Sequence, residues 1–158
     1  MKFSDGLVKI RSFNEDDTNF ILNSWLKSFR NSPFAQNIAP YIYYTVQKRI
    51  IEDCIRNHDI RVICVADDSS HIVGYACFSE IADGLVNIDY IYIKSPYRRF
   101  GLAKELVKDI RSNFPGDMKF KTDAVTSVAT RICPKLDVDI DHMGFSARFY
   151  VFKIDKAS

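Results

Sequence analysis

The sequence has no excess of one charge, no long apolar run and no closely spaced pair of cysteines. Its 158 residues carry 22 Lys and Arg against 20 Asp and Glu, a balance that excludes a strongly basic nucleic-acid coat and an acidic solubilising tail. No apolar run approaches the roughly 20 residues that span a bilayer, and residues 1–6 lack the apolar stretch of a signal peptide. We therefore expect a cytoplasmic protein with no membrane partner.

The four cysteines are spread along the chain, and none belongs to a CxxC pair. Zinc sites usually take their ligands from closely spaced pairs, whereas reduced cysteines often serve as small buried apolar residues. We therefore predict no bound metal and four reduced cysteines, namely Cys54, Cys64, Cys77 and Cys133.

The composition is that of a globular domain. Hydrophobic residues make up 47% of the chain and charged residues 27%, which is enough apolar material for a sizeable core. We find no internal repeat, linker or low-complexity segment, and the length fits one domain. The prediction is a single domain over residues 1–158, either monomeric or homodimeric.

Hydrophobic periodicity predicts a helical pair near the front of the chain. Alternation over residues 7–13 indicates a strand, and residues 40–57 indicate a helix that starts at a proline. Before it, an apolar stripe at helical spacing predicts another helix, with Leu22, Trp25, Leu26 and Phe29 on one face. Residues 30–40 break both patterns and predict an ordered loop that is a candidate substrate lid.

The middle of the chain predicts three strands in an antiparallel meander, over residues 60–66, 72–81 and 85–94, with turns at 67–70 and 82–84. A helix follows over residues 100–114, then a strand over 118–123, and this order implies a parallel pair joined by a crossover. A short helix over 126–133 and a strand over 145–154 complete an α/β fold with a mixed, mostly antiparallel sheet.

The segment that carries chemistry is residues 89–103, where a strand runs through a tight basic loop into a helix. The first N–H groups of that helix have no partner within it, and the helix dipole favours an anion there. Gly101 and Ala103 allow a close approach to the backbone, and Arg98 and Arg99 add positive charge. The pattern predicts a pyrophosphate cradle. It is neither a P-loop nor a dinucleotide fingerprint, because the further glycines and the Gly-Lys-Ser/Thr run are missing.

The run Arg98-x-x-Gly101-x-Ala103 after a strand resembles the Gln/Arg-x-x-Gly-x-Gly/Ala signature of the GNAT superfamily of acetyl-CoA-dependent N-acetyltransferases. The order of elements agrees over residues 7–154, and residues 143–145 (Met-Gly-Phe) resemble the Leu-Gly-Phe turn of that family. The resemblance implies that acetyl-CoA is the donor and that its acetyl group passes to a primary amine.

The resemblance also implies where the donor binds. Pantetheine would lie along the backbone of Ile91, Tyr92 and Ile93. The pyrophosphate would be held at the loop and the first turn of the helix, that is at Arg98, Arg99, Phe100, Gly101, Leu102, Ala103 and Lys104. Acyl transfer would then depend mostly on positioning.

A base must take a proton from the amine. The first candidate is Asp89 on the signature strand, whose face Asn87 should share, and the second is Glu80 on the preceding strand. For both residues the alternative is an ordinary solvated or hydrogen-bonded strand acid. Relatives often carry a tyrosine that acts as general acid four residues before the Gly-Phe turn. This sequence has Ile140 at that position, so Tyr150 or His142 would have to act as the acid instead.

The acceptor is a small-molecule or protein amine that the sequence does not identify. Three aromatic residues in or after the predicted lid are candidates to line its pocket, namely Phe34, Tyr41 and Tyr44, whereas Tyr43 belongs to the core stripe.

Two other functions compete with the enzyme. A catalytically inactive binding module on the same fold would explain the missing tyrosine. A nucleic-acid-modifying enzyme would need a basic face, built from residues such as Lys119, Lys121, Arg131 and Lys135, but the near-neutral charge argues against it.

Overall fold

A six-stranded mixed sheet forms the centre of the molecule. The computed structural model describes residues 5–142, and the strands in chain order are β1 (Val8–Ser12), β2 (Asp59–Val65), β3 (Asp68–Ala82), β4 (Leu85–Ile93), β5 (Lys119–Thr122) and β6 (Asp139–Ile140). They lie in the same order across the sheet. Strands β1 to β4 are antiparallel, whereas β4–β5 and β5–β6 are parallel. The predicted fold class is confirmed, and the strand predicted over residues 145–154 lies outside the described residues.

Helices α1 (Thr18–Phe29) and α2 (Pro40–Asn57) cover one face of this sheet. Helix α2 has the predicted bounds, with its proline in the first turn, where the missing N–H costs nothing. In α1 the buried row is Ile21, Trp25 and Phe29. The predicted Leu22 and Leu26 are only partly buried, because the row that faces the sheet runs at i, i+4 and i+8.

Helix α3 (Leu102–Arg111) packs on the opposite face of the sheet, and the short helix α4 (Ser127–Ile132) follows β5. The predicted start of α3 at residue 100 is wrong by two positions. Gly101 has a φ of +75°, which lies in the left-handed region and cannot continue a right-handed helix.

The turn predicted over residues 67–70 is also shorter than expected. Val65 already pairs with Asp68, so that the exposed residues 68–70 belong to β3. The Asp68 carboxylate accepts hydrogen bonds from the amide and hydroxyl of Ser70 at 3.1 and 2.6 Å. These local bonds satisfy polar groups that on sequence alone are typical of a loop.

All four cysteines are buried and none of them forms a disulfide bond, as expected of reduced residues. Within residues 5–142 no helix has both the length and the apolar character that crossing a membrane requires. The single-domain organisation stays a prediction.

Candidate active site

Strands β4 and β5 part in the middle of the sheet. Their parallel register ends where Ile88 pairs with Thr122, whose hydroxyl donates to the Ile88 carbonyl at 2.7 Å. Beyond Ile88, no strand in the described part of the chain pairs with this edge of β4. The opening therefore leaves strand backbone available to an extended ligand.

The loop after β4 leads into the N-terminus of α3. Arg99 and Gly101 have φ values of +72° and +75°, and these two left-handed residues turn the chain. The first helical hydrogen bond runs from the Glu105 N–H to the Gly101 carbonyl at 3.1 Å, so that the N–H groups of residues 102–104 have no acceptor within the helix. Together with the helix dipole, these N–H groups have the geometry that suits an anion, which is the role that the sequence predicts for them.

A groove of about 680 Å³ joins the strand opening to this helix end. It is lined by nine of the residues predicted to bind the donor: Ile91, Tyr92, Ile93, Arg98, Arg99, Gly101, Leu102, Ala103 and Lys104. The tenth, Phe100, is not among the lining residues and is exposed. Two further cations, Arg131 and Lys135 of the segment that follows β5, also line the groove.

The Arg98 side chain is tied to the end of β4. Its Nε donates to the Ile93 carbonyl at 2.7 Å, and its guanidinium carbon lies 6.0 Å from the centre of the Tyr92 ring. Positive charge is thus fixed at the junction of strand and helix. This junction is where the groove turns from one to the other.

The loop predicted as a lid borders the groove through Asn31 and Ser32. It is ordered by a short 3₁₀ turn (Ala35–Asn37) and by a hydrogen bond from Arg30 Nη1 to the Ala35 carbonyl at 2.9 Å. The loop is therefore ordered and forms part of the wall of the groove.

A β-bulge places Asp89 at the point where β4 and β5 part. Cys77 pairs with Tyr90 and Phe78 with Ile88, which leaves Asp89 as the extra residue of β4. Asp89 and Tyr90 are consecutive, yet both have partners on the α1–α2 side of the sheet. Tyr90 stacks on Trp25 with ring centres 5.0 Å apart, and Asp89 contacts His58 at the end of α2.

Both oxygens of the Asp89 carboxylate accept hydrogen bonds. Oδ2 lies 2.7 Å from His58 Nδ1 and 3.5 Å from the Cys77 thiol, and Oδ1 accepts from the Asn87 amide at 2.8 Å. Asn87 does share the face of Asp89, as predicted. Its Oδ1 accepts from Lys121 Nζ at 3.1 Å, which extends the polar network to β5.

The His58–Asp89 contact has a strong electrostatic consequence. The hydrogen bond that the Asp89 carboxylate accepts, together with a hydrogen bond to Cys54, raises the pKa of His58 to about 10. His58 is therefore a cation at neutral pH. Burial raises the pKa of the Cys77 thiol, and its hydrogen bond to Cys54 adds to the shift.

His58 is the residue that the sequence analysis missed. Cys54 and His58 are four residues apart at the end of α2, a spacing that puts two side chains on one helix face. This spacing is the sequence feature that could have indicated His58. Cys54, His58 and Asp89 have ligand atoms within 4.8 Å of one another, although the cysteine spacing alone predicts no metal ligands.

Glu80 does not join Asp89. It pairs with Val86 at the exposed end of β3, on the face that α3 covers, because Val86 and Phe78 both belong to the cluster beneath that helix. The two predicted carboxylates therefore lie on opposite faces of the sheet.

The residues predicted for the acceptor pocket do not line the groove. Tyr41 and Tyr44 are 82% and 45% exposed, and Phe34 packs against the core beneath α1 and α2. Tyr43 is buried in that core, as predicted.

Of the residues considered as a general acid, Tyr150 lies outside the described residues. His142 is exposed, and Ile140 lies on the short strand β6.

A groove that runs from a strand opening to the N-terminus of a helix is typical of a class of acyltransferase folds, and comparisons with known proteins identify the family. The family model of the GNAT acetyltransferases matches residues 20–114. The chain belongs to this family. No curated protein matches it in sequence.

Solved structures share the fold at low sequence identity. A proposed acetyltransferase from Clostridium difficile 630 is 17% identical, with 94% of this chain and 90% of that chain covered and a TM-score of 0.51. A proposed acetyltransferase from Deinococcus radiodurans R1 is 14% identical, with coverage of 82% and 80% and a TM-score of 0.51. For a GNAT-family acetyltransferase from Staphylococcus aureus Mu50 (14% identity, TM-score 0.48) the match covers 66% of this chain and 64% of that one, which is less than two thirds of its length.

Proposed function

We propose that this protein transfers the acetyl group of acetyl-CoA to a primary amine. The observation that carries the proposal is the groove that begins at the opening between β4 and β5 and ends at the cationic N-terminus of α3. One end offers strand backbone to an extended amide chain, and the other offers N–H groups and cations to a diphosphate.

The dimensions of the groove fit that donor. With the diphosphate at residues 102–104, the pantetheine arm would run back along β4 toward the bulge. The four steps along the strand from Ile93 to Asp89 span about 13 Å at about 3.3 Å per residue. An arm of that reach would bring the thioester close to Asp89 and Tyr90.

The reaction at that end is acyl transfer by direct attack. R–NH₃⁺ and acetyl-S-CoA give R–NH–CO–CH₃, CoA–SH and one proton. The amine must lose a proton before its nitrogen attacks the thioester carbon, because an ammonium has no lone pair. We assign Asp89 as the group that accepts this proton, through one water, since its side chain is 1% exposed and is not among the residues that line the groove. The thiolate of CoA then takes a proton as it leaves.

Calorimetric titration with acetyl-CoA tests the donor site, using a Gly101→Glu variant and a matched Gly84→Glu control. Both glycines have positive φ, +75° and +80°, and an added Cβ would meet nothing within 4 Å at either site, so the two variants carry the same backbone strain and the same added charge. Only Gly101 lines the groove.

We expect micromolar binding by the wild type and by Gly84→Glu, and a loss of about 100-fold or more in Gly101→Glu, equal to about 2.8 kcal/mol. Retained binding by Gly101→Glu would contradict the placement of the diphosphate. A folded wild type that does not bind acetyl-CoA would favour the binding-module alternative. Screening of amine acceptors follows a positive result, with small-molecule and protein amines as the first classes.

A further inference from the structure

We infer that His58 is the positioning residue of this site: as a cation it holds Asp89 ionised and fixed at the strand opening, so that Asp89 can take the proton of the acceptor amine. The inference rests on the proposed function. It assigns a role to a residue that lies far from the donor-binding motif in sequence and does not line the groove.

The first step concerns the cost of burying Asp89. Its side chain is 1% exposed, and a carboxylate removed from water to that degree favours its neutral, protonated form. A protonated Asp89 would be useless as a base. The Asn87 amide and the Cys77 thiol are neutral donors, and His58 supplies the positive charge that compensates the carboxylate at 2.7 Å.

The second step concerns geometry. His58 caps the C-terminal end of α2, where its backbone N–H donates to the Cys54 carbonyl at 2.8 Å. The residue is therefore fixed at its backbone by α2 and at its ring by Asp89. With Asn87 on Oδ1 and His58 on Oδ2, the carboxylate has both ends fixed. Such a carboxylate keeps one orientation, which positioning of an attacking amine requires.

The third step asks whether the cluster of Cys54, His58 and Asp89 is held by a hydrogen bond or by a metal ion. Two ligands of one tetrahedral zinc ion, with bonds of about 2.0–2.1 Å, lie about 3.3 Å apart. Here Nδ1 and Oδ2 are 2.7 Å apart, a distance at which the two atoms share a hydrogen rather than an ion. The groups facing His58 are Cys54 on α2 and Asp89 on β4, with Cys77 on β3 behind the carboxylate.

The test compares two probe acceptors at pH 7 and measures release of the CoA thiol. Ethylamine is an ammonium at that pH and needs a base, whereas hydroxylamine is largely uncharged and needs none. The variants are His58→Gln and Asp89→Asn. The control is Asp109→Asn, which removes the Arg61–Asp109 ion pair of the same 2.7 Å length from a site outside the groove.

We expect both cluster variants to lose about 100-fold or more of kcat for ethylamine, to keep transfer to hydroxylamine within a few-fold, and to bind acetyl-CoA normally. The ethylamine rate of His58→Gln should recover as the pH rises. Equal losses for both amines, or no loss, would overturn the role of His58. A wild-type rate that falls with a chelator and returns with Zn²⁺ would overturn it in favour of a metal site. A wild type that does not bind acetyl-CoA would instead contradict the proposed function itself.

An acceptor-independent measurement completes the test. Nuclear magnetic resonance of the His58 ring should show a cation throughout the neutral range in the wild type and titration near the ordinary histidine value in Asp89→Asn. A wild-type His58 that titrates near its ordinary value would overturn the inference without any assay of transfer.

Discussion

The groove beside α3 and the cluster around Asp89 lie side by side but are built in opposite ways. The groove takes its backbone edge, its left-handed turn and its helix end from one stretch, residues 89–104. The cluster joins Cys54 and His58 of the α2 end to Cys77 of β3 and Asp89 of β4.

This difference decides how each region responds to change. A helix end binds an anion because of its own backbone, so its chemistry survives in any sequence that keeps the turn. A buried carboxylate is ionised only while partners from other elements stay in place. The groove should therefore tolerate distant substitutions, whereas the cluster should be sensitive to each of its members.

The largest effect is expected in the cluster. Asp89→Asn should lower the free energy of unfolding by roughly 3 kcal/mol near pH 6, since it breaks a largely buried ion pair. The folded pKa of His58, about 10, lies above its ordinary value of 6.5. The stabilisation is therefore complete below about pH 6.5 and is lost as the pH rises through about 10.

Urea denaturation of the wild type and of Asp89→Asn at pH 6 and pH 10 measures this difference. The gap between the two proteins should shrink at the higher pH. The Asp109→Asn control breaks a more exposed pair and should cost at most about 1 kcal/mol. A gap that stays constant with pH would mean that His58 is not the cation of the pair.

The same contrast explains what the sequence could predict. The basic turn, the strand before it and the helix after it are local features, and nine of the ten predicted donor residues line the groove. The bulge at Asp89 depends on the register between β3 and β4, which no single segment encodes. His58 acquires its partner only when α2 packs on the sheet, and the register between β3 and β4 places Glu80, the other predicted base, on the opposite face of the sheet from Asp89.

A smaller effect is expected where the groove itself depends on a distant residue. An added Cβ at Gly74 of β3 would lie 2.5 Å from the Tyr92 carbonyl and 2.7 Å from Ile93 Cδ1. Gly74→Ala must therefore move β4, at a cost of about 1–3 kcal/mol in the free energy of unfolding, with weaker acetyl-CoA binding because Tyr92 and Ile93 line the groove.

Gly116→Ala is the matched control, because an added Cβ at Gly116 meets nothing within 4 Å. Its free energy of unfolding should change by no more than about 0.5 kcal/mol. Equal stability of the two variants would show that β4 yields to the added methyl group, and the groove would then be less rigid than its contacts indicate.

The smallest effect separates charge from anchoring within the groove. Arg98→Ala should weaken acetyl-CoA binding by about tenfold, or about 1.4 kcal/mol, since it removes both a cation and the Nε bond to the Ile93 carbonyl. Arg98→Lys keeps the cation but loses the guanidinium geometry that fixes it to the strand. If anchoring matters, calorimetry should place the lysine variant between the wild type and the alanine variant, and its affinity should fall more steeply with added salt, because a free ammonium is screened more readily than a fixed guanidinium. If Arg98→Lys binds acetyl-CoA with the affinity of the wild type, charge alone acts at this position. The geometry of the guanidinium would then contribute nothing to binding.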